Sequence, residues 1–242
     1  MNKISIIIPI LNEAENIENL LIHILKNTSK ENISEIIVVD GGSIDESLNI
    51  VNEFVSSIYK SKSNKITVLN SEKGRAKQMN LGAKHASGNI LYFLHADSFP
   101  PENFDKYILK EIEKGLEAGC FIMKFNSNHW WLKLAGFLTK LPWKSCRGGD
   151  QSLFVSKSLF KNIGGFDETF VIYEDNDFIR KLYARKQFVV IQKWLTTSAR
   201  CYNTNGVFKL QYHYFMIYLK KWLGASPENL NAYYNKHVNV KN

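Results

Sequence analysis

Four short apolar runs decide the fold: ISIIIPI at Ile4–Ile10, EIIVV at Glu35–Val39, ITVL at Ile66–Leu69 and ILYFL at Ile90–Leu94. Each run is nearly continuous in apolar residues, which is typical of strands buried on both faces. Helical patterns separate the runs, so the order is βαβαβαβ. Right-handed crossovers fold such a chain into a mostly parallel sheet with helices on both faces. We therefore predict an α/β protein.

Composition excludes several classes of protein. The chain has 242 residues, of which 45% are hydrophobic and 22% charged, so it is globular and long enough for one large α/β domain. Its three cysteines, Cys120, Cys146 and Cys201, lie far apart, which disfavours a disulfide framework or a structural zinc site and fits a reducing cytosol. The first apolar run is too short for a signal peptide, and no run of roughly 18 apolar residues could span a bilayer. We expect a cytoplasmic protein.

Acidic residues follow three of the four predicted strands. The first strand ends in PILNE, the second in DGGSID and the fourth in HAD. Ligands of open parallel sheets bind beyond the carboxyl ends of the strands, where these acids converge. His95 and Asp97 are two residues apart and could share a divalent ion, with Asp97 as the harder oxygen ligand, although His95 could simply pack there. A G-x-G-x-x-G pattern is absent, which disfavours hydride transfer.

Two further segments carry candidate chemistry. Gly74 precedes Arg75 at a predicted helix start, where backbone N–H groups and a guanidinium suit a diphosphate; the alternative is a solvated basic helix face. Glu174, Asp175 and Asp177 open another predicted helix and cannot all point the same way. We expect one carboxylate to face the cleft while the others cap the helix or stay solvated.

The order of four segments resembles a known family. SIIIPILNEAENI, EIIVVDGGSIDES, KGRAKQMNLGAKHASGNILYFLHAD and GGDQSLFVSKSLFKNIGGFDETFVIYEDNDFIRKL follow one another as in family 2 glycosyltransferases of the GT-A fold, over roughly residues 3–205. The chain is similar in particular to the small bacterial subgroup that includes carotenoid-ester glycosyltransferases. The resemblance implies a GT-A domain over residues 1–205, with a nucleotide-binding half at 1–97 and an acceptor-side half at 98–205. We expect residues 206–242 to form an amphipathic C-terminal helical tail.

The resemblance also implies site residues. Those on the nucleotide-sugar side are Pro9 and Glu13 against the nucleoside, Asp40 on the base, Arg75 near the base or diphosphate, and Asp97. Asp97 matches the last acid of the family's D-x-D metal motif, where His95 replaces the first acid, so the implied metal ligands are Asp97 and His95 and the implied cofactor is Mn²⁺ or Mg²⁺. In the Glu174-Asp175 pair, Asp175 matches the catalytic base. Gly149, Asp150 and Gln151 are assigned to the acceptor side.

The implied reaction is metal-dependent transfer of one sugar, with inversion, from a nucleotide-diphosphate sugar, by default a UDP-sugar. The processive enzymes' Q-x-x-R-W motif is missing and 197–200 reads TSAR, so we expect no polymerisation. Two alternatives stay open: a nucleotidyltransferase and a non-catalytic nucleotide-binding scaffold. Nucleic acid is not an expected partner, because the strand-end acids would repel phosphate.

Two aromatic, basic segments suggest contact with a membrane. His129–Trp143 and Gly206–Gly224 each place apolar side chains along one helical face with lysines nearby, and the net charge is +8. Either could be an ordinary core helix. Together they favour docking in a lipid interface, on the inner face of the cell membrane, and a lipid-linked or otherwise apolar acceptor.

Overall fold

The structure, a computed structural model, describes residues 2–59 and 65–238. Eight strands form one sheet in the order β3-β2-β1-β4-β7-β6-β8-β5. The strands are β1 (Ile4–Ile10), β2 (Ile33–Asp40), β3 (Ile66–Asn70), β4 (Ile90–Phe93), β5 (Ser98–Phe99), β6 (Ala118–Phe125), β7 (Leu153–Ser156) and β8 (Phe188–Thr197). The four predicted apolar runs are β1 to β4.

Ten α-helices connect and cover these strands in the described ranges. They are α1 (Ile17–Lys26), α2 (Ser47–Tyr59), α3 (Arg75–His85), α4 (Phe104–Glu113), α5 (Trp130–Leu138), α6 (Lys157–Ile163), α7 (Glu174–Tyr183), α8 (Arg200–Asn205), α9 (Val207–Trp222) and α10 (Pro227–His237). Two short 3₁₀ helices, Lys144–Cys146 and Gly149–Gln151, lie in the loop before β7.

The sheet is parallel in its first half and mixed in its second. β3, β2, β1 and β4 pair in parallel, as the crossover rule predicts. β7 is antiparallel to both β4 and β6, β5 is antiparallel to β8, and only β6 and β8 are parallel there. The prediction of a mostly parallel sheet therefore describes residues up to about 97, because regular βαβ crossovers end there.

Side chains of β1 alternate between two apolar cores, one on each face of the sheet. Ile6 and Ile8 pack with residues of α1, α2 and α4, whereas Ile7 packs with residues of α3, α6 and α7. Helix α3 lies very close to β1: a Cβ on Gly82 would lie 2.5 Å from Cγ2 of Ile7. This close packing fixes α3, and therefore its first residue, Arg75, relative to the carboxyl ends of the strands.

The C-terminal helices pack onto the segment that precedes α7. Ile217 of α9 and Leu230 of α10 form a small core with Phe170, beside Tyr173 at the start of α7. No helix within residues 2–59 and 65–238 combines the length and apolarity needed to cross a bilayer.

Candidate active site

The candidate site lies at the carboxyl end of the parallel strands. The loops after β1 and β4, the first turn of α3, the 3₁₀ turn Gly149–Gln151 and the first turn of α7 meet there. The acids predicted from strand ends thus face residues from much later in the chain.

Arg75 joins the two halves of the site. Its Nη1 atom lies 3.2 Å from Oε1 of Glu174 and 3.7 Å from Oδ2 of Asp175, and half of its side chain remains exposed. Burial opposes the charged guanidinium, but Glu174 and Asp175 outweigh it and raise the pKa of Arg75. Arg75 is therefore a fixed cation with one side open to the cleft.

Glu174 and Asp175 occupy different positions in the first turn of α7. The Glu174 side chain is 2% exposed and bonded to Arg75, whereas the Asp175 side chain is 10% exposed and lies beside His95 and Gly149. Burial, followed by the charge of Glu174, raises the pKa of Asp175 to about 7. Burial also raises the pKa of Glu174. A carboxylate with a pKa near neutrality can both accept and release a proton.

His95 lies between two carboxylates. Its Nδ1 atom is 3.9 Å from Oδ1 of Asp150, and its Nε2 atom is 3.8 Å from Oδ2 of Asp175. Burial, then the charge of Arg75, lowers the pKa of His95 well below its ordinary value. The imidazole is thus neutral at physiological pH. It can accept a hydrogen bond or bind a cation through one nitrogen.

Asp150 and Asp175 lie on either side of His95, and the Asp150 side chain is 56% exposed. Desolvation of its carboxylate raises the pKa of Asp150, and the positive charge of Arg75 opposes this rise. Gly149 beside it is in tight contact with the catalytic candidate: a Cβ at this position would lie 2.0 Å from Oδ2 of Asp175 and 3.1 Å from Cε1 of His95. Only a glycine permits this approach.

Asp97 belongs to the same acidic group. Burial, followed by the negative charges of Asp150 and Glu13, raises the pKa of Asp97 to about 6. Arg200 partly offsets this repulsion. Its Nη2 atom lies 2.9 Å from Oε1 of Glu13. The sequence analysis did not predict that Arg200 lies at the site. It used the segment TSAR only as evidence that the Q-x-x-R-W motif is missing.

Three predicted residues are not brought to the open cleft. Pro9 is buried within β1. Asp40 is 2% exposed, and its carboxylate accepts hydrogen bonds from the backbone of Gly42 and Ser43 and from the Ser43 hydroxyl. Gln151 is 1% exposed, and its amide is bonded within the loop. The geometry gives Asp40 and Gln151 structural hydrogen bonds, and their ligand contacts stay predictions.

Asp97 and His95 are the side chains of the site that could hold a divalent cation. Within the described ranges, no group of three or more His, Cys, Asp or Glu side chains is arranged so that it could hold a metal ion by itself. Asp97, however, has a raised pKa near two other acids, and among the described residues one long hydrogen bond reaches it, from the Ser98 hydroxyl at 3.5 Å. One free carboxylate and a neutral imidazole suit an ion that takes its other ligands from phosphate and water.

Two solved structures identify the fold class of this chain. S. aureus TarS in complex with UDP aligns with a TM-score of 0.64 at 22% identity, covering 81% of this chain and 60% of that one. The Pyrobaculum calidifontis mannosyltransferase PcManGT, in complex with GDP-Man and Mn²⁺, aligns with a TM-score of 0.68 at 16% identity, covering 99% and 68%. Both are GT-A glycosyltransferases, so the predicted fold class is confirmed.

Sequence similarity identifies the family. Residues 5–187 match the family described as Glycosyl transferase family 2, and the chain belongs to that family, as the resemblance predicted. The glycosyltransferase AglE of Haloferax volcanii is 35% identical over 101 residues, which are 42% of this chain and 32% of AglE. The PGL/p-HBAD biosynthesis glycosyltransferase of Mycobacterium tuberculosis is 29% identical over 209 residues, covering 84% and 77%. The finer resemblance to carotenoid-ester enzymes stays a prediction.

Proposed function

We propose that the protein transfers one sugar from a nucleotide-diphosphate sugar, by default a UDP-sugar, to an acceptor hydroxyl with inversion. Membership of glycosyl transferase family 2 supports sugar transfer. The fold neighbours crystallised with UDP, UDP-GlcNAc or GDP-Man support a nucleotide-sugar donor. One observation supports the mechanism: the Asp175 carboxylate lies 3.7 Å from Arg75, and its pKa is raised to about 7.

Asp175 acts as the general base in this proposal. Its Oδ2 atom takes the proton from the acceptor hydroxyl while that oxygen forms a bond to the anomeric carbon of the donor. The bond from this carbon to the diphosphate oxygen breaks, and the nucleoside diphosphate leaves with the electron pair. A single base without a nucleophilic carboxylate on the other face of the sugar favours direct displacement, by analogy with inverting glycosidases.

Two cations can receive the diphosphate. The open side of Arg75 faces the cleft, and Arg200 lies beside Glu13 and Asp97. Guanidinium groups bind phosphate oxygens through two parallel hydrogen bonds, so either can stabilise the charge that develops on the leaving group. In this proposal Glu174 keeps Arg75 in place and takes no proton from the acceptor.

Asp97 and His95 are the residues that would hold a divalent cation together with the donor. A bound cation supplies charge neutralisation at the leaving diphosphate. The test is calorimetric titration of UDP into wild type and Asp97→Asn, each with Mn²⁺ and with chelator. We expect Mn²⁺ to strengthen binding to wild type only. Equal affinities in all four titrations would contradict the assignment.

Product analysis separates the candidate reactions. A thermal-shift screen of nucleotide sugars first identifies the donor, since a ligand at about 100 times its Kd adds roughly 2.7 kcal/mol of stability. A glycosyltransferase then releases nucleoside diphosphate, whereas a nucleotidyltransferase would release pyrophosphate. Donor binding without either product would favour a scaffold.

The residue test uses a neighbouring pair of acids. Asp175→Asn should keep donor affinity and lower the transfer rate by about 10²–10⁴-fold, the usual contribution of a general base. Glu174→Gln should lower it less. Full activity of both variants would remove the pair from the mechanism, and collapse of Glu174→Gln alone would make Glu174 the base.

The exposed aromatic patch supports a peripheral position on the cytoplasmic face of the membrane. We define this patch as ten exposed apolar side chains of α5, α9 and the residues that follow each helix, leaving out Tyr218, which bonds to Asn176: Trp130, Leu134, Phe137, Leu138, Trp143, Phe208, Tyr212, Phe215, Trp222 and Leu223. The two helices meet where the ring centroids of Trp130 and Phe208 lie 6.2 Å apart. Exposed Lys133 and Lys209 flank the patch. Apolar and aromatic surface with lysines suits an interface with anionic lipid.

Liposome sedimentation tests this position. Vesicles rich in phosphatidylglycerol should retain wild type at low salt, and replacing Phe215 and Trp222 by Ser should release it. Ile44 is 93% exposed and lies outside the patch, so Ile44→Ser is the matched control and should still bind. A wild-type protein that stays in the supernatant with these vesicles would contradict the membrane proposal.

A further inference from the structure

The helix that carries the proposed base begins at a strained residue. Tyr173, which precedes Glu174 at the start of α7, has a φ of 75°, in the left-handed region that a bulky side chain rarely adopts. Within residues 2–59 and 65–238, its side chain makes no hydrogen bond that caps the helix. A residue in this conformation persists only where the surrounding structure holds it. Contacts from other elements therefore fix the first turn of α7, which includes Asp175.

Tyr218 of α9 supplies two of these contacts. Its ring packs edge-on against the ring of Tyr173, with centroids 5.4 Å apart. Its hydroxyl donates a hydrogen bond to Oδ1 of Asn176 at 2.9 Å. Tyr173 and Asn176 lie on either side of the Glu174-Asp175 pair in the chain. One side chain thus holds the turn of the proposed base at both ends.

The small core around Ile217 keeps α9 against the segment that precedes α7. Ile217, which comes directly before Tyr218, is buried with Phe170 and with Leu230 of α10. Nζ of Lys221 lies 4.6 Å from the centroid of the Phe170 ring. α9 cannot move away from this segment without exposing these buried apolar side chains. Packing therefore fixes the position of Tyr218 independently of its hydroxyl.

Tyr218 and the arginine of the cleft act on different parts of the same turn. Nη1 of Arg75 lies near the carboxylates of Glu174 and Asp175. Tyr218 instead contacts the residues on either side of this pair. Because a misplacement of about 1 Å can lower a reaction rate about 10²-fold, a contact that holds the turn affects the reaction without touching substrate.

We propose that Tyr218 is a positioning residue for sugar transfer, which holds the first turn of α7 so that Asp175 reaches the acceptor hydroxyl. The proposal deepens the proposed function and rests on it. α9 follows residues 5–187, which match the family, so this contribution comes from outside the matched part of the chain. The same helix then has two roles: its exposed patch is proposed to contact the membrane, and Tyr218 holds the turn of the base.

Amide exchange tests the positioning without any substrate. The N–H of Asp177 donates to the backbone oxygen of Tyr173 at 3.0 Å and closes the first turn of α7, so its exchange rate, measured by NMR, reports how often the turn opens. Tyr218→Phe keeps the ring and removes the hydroxyl. Tyr218 is 41% exposed, so this variant should fold. We expect Asp177 to exchange about 5-fold faster, the effect of losing one hydrogen bond.

The matched control is Tyr233→Phe. It removes the hydrogen bond between the Tyr233 hydroxyl of α10 and Nδ1 of His213 in α9, which has the same length of 2.9 Å and does not involve α7. Exchange of Asp177 should stay within about twofold of wild type in this variant. Unchanged exchange in Tyr218→Phe, or equal acceleration in both variants, overturns the positioning role.

Kinetics separate positioning from a general loss of stability. The probe is UDP-glucose with Mn²⁺, and UDP release is measured with water as the acceptor. We expect Tyr218→Phe to lower kcat about 5-fold and to leave the KM for UDP-glucose within about twofold of wild type. In an Asp175→Asn background, Tyr218→Phe should have no further effect on kcat, because the base that it positions has been removed. Equal losses in both backgrounds would indicate a purely structural role and overturn the proposal.

The same measurements distinguish failure of the positioning role from failure of the proposed function. If wild type releases no UDP, or Asp175→Asn releases it as fast as wild type, the proposed function is contradicted. If Asp175→Asn is slow while Tyr218→Phe keeps the wild-type kcat, only the positioning role is contradicted.

Discussion

Gly149→Ala is expected to disable the enzyme while leaving the fold intact. The new Cβ would lie 2.0 Å from Oδ2 and 2.8 Å from Cγ of Asp175, whereas real Cβ atoms keep at least 3.0 Å from a neighbour. The carboxylate or the turn must therefore shift by about 1 Å, and a misplacement of that size can lower the rate about 10²-fold. His95 Cε1, at 3.1 Å from the new atom, leaves little room for the shift.

Gly148→Ala is the matched control. Nothing lies within 4 Å of a Cβ on Gly148, and its φ of −164° is extended backbone that any residue adopts. We expect wild-type kcat/KM for Gly148→Ala, about 10²-fold lower kcat/KM for Gly149→Ala, and nucleotide affinity within about twofold of wild type for both. Thermal melting verifies that both variants fold. If Gly149→Ala and Gly148→Ala transfer sugar equally fast, the position of Asp175 is not critical and its assignment as base is refuted.

Three further predictions follow from the electrostatics and packing of the site. Burial and the negative charge of Glu174 raise the pKa of Asp175 to about 7. Because a general base acts only when it is deprotonated, kcat/KM should fall as the pH drops from 8 to 6. Glu174→Gln removes a cause of that raised pKa, so the fall should move to lower pH; a move to higher pH in the measured profiles would contradict the electrostatic account. Buried Arg147 donates hydrogen bonds to the backbone oxygens of Thr139 and Leu141 and to Oε1 of Gln151. Arg147→Met should therefore lower the free energy of unfolding, measured by urea titration, by about 3 kcal/mol. A loss under about 1 kcal/mol would contradict this expectation.

The parallel half of the fold could be predicted because its signal is local. Each buried strand reads as one apolar run, and each crossover as an amphipathic helix, as β1 to β4 illustrate. The second half lacks that signal. β7 is four residues long and pairs antiparallel with β4 and β6, which no short-range pattern specifies.

Local sequence patterns also predicted only part of the candidate site. Strand ends and helix starts selected Asp97 and Arg75, and the family resemblance selected Asp175 among the acids that open α7; Nη1 of Arg75 lies 3.7 Å from Oδ2 of Asp175. Sequence reasoning missed Arg200, whose contact with Glu13 joins residues 187 positions apart. It also treated α9 as a single amphipathic face, because the contacts of α9 with α7 are tertiary.

The charge balance of the cleft connects donor binding to the proposed cation. Five carboxylates, those of Glu13, Asp97, Asp150, Glu174 and Asp175, lie near two guanidinium groups, those of Arg75 and Arg200. The raised pKa values of Asp97 and Asp175 record this excess of negative charge together with burial. A nucleoside diphosphate brings further negative charge into the same space, where repulsion is poorly screened. In the proposed function this repulsion is offset by a divalent cation that would enter with the diphosphate, and Asp97, which accepts a 3.5 Å hydrogen bond from the Ser98 hydroxyl, is the carboxylate proposed to hold it.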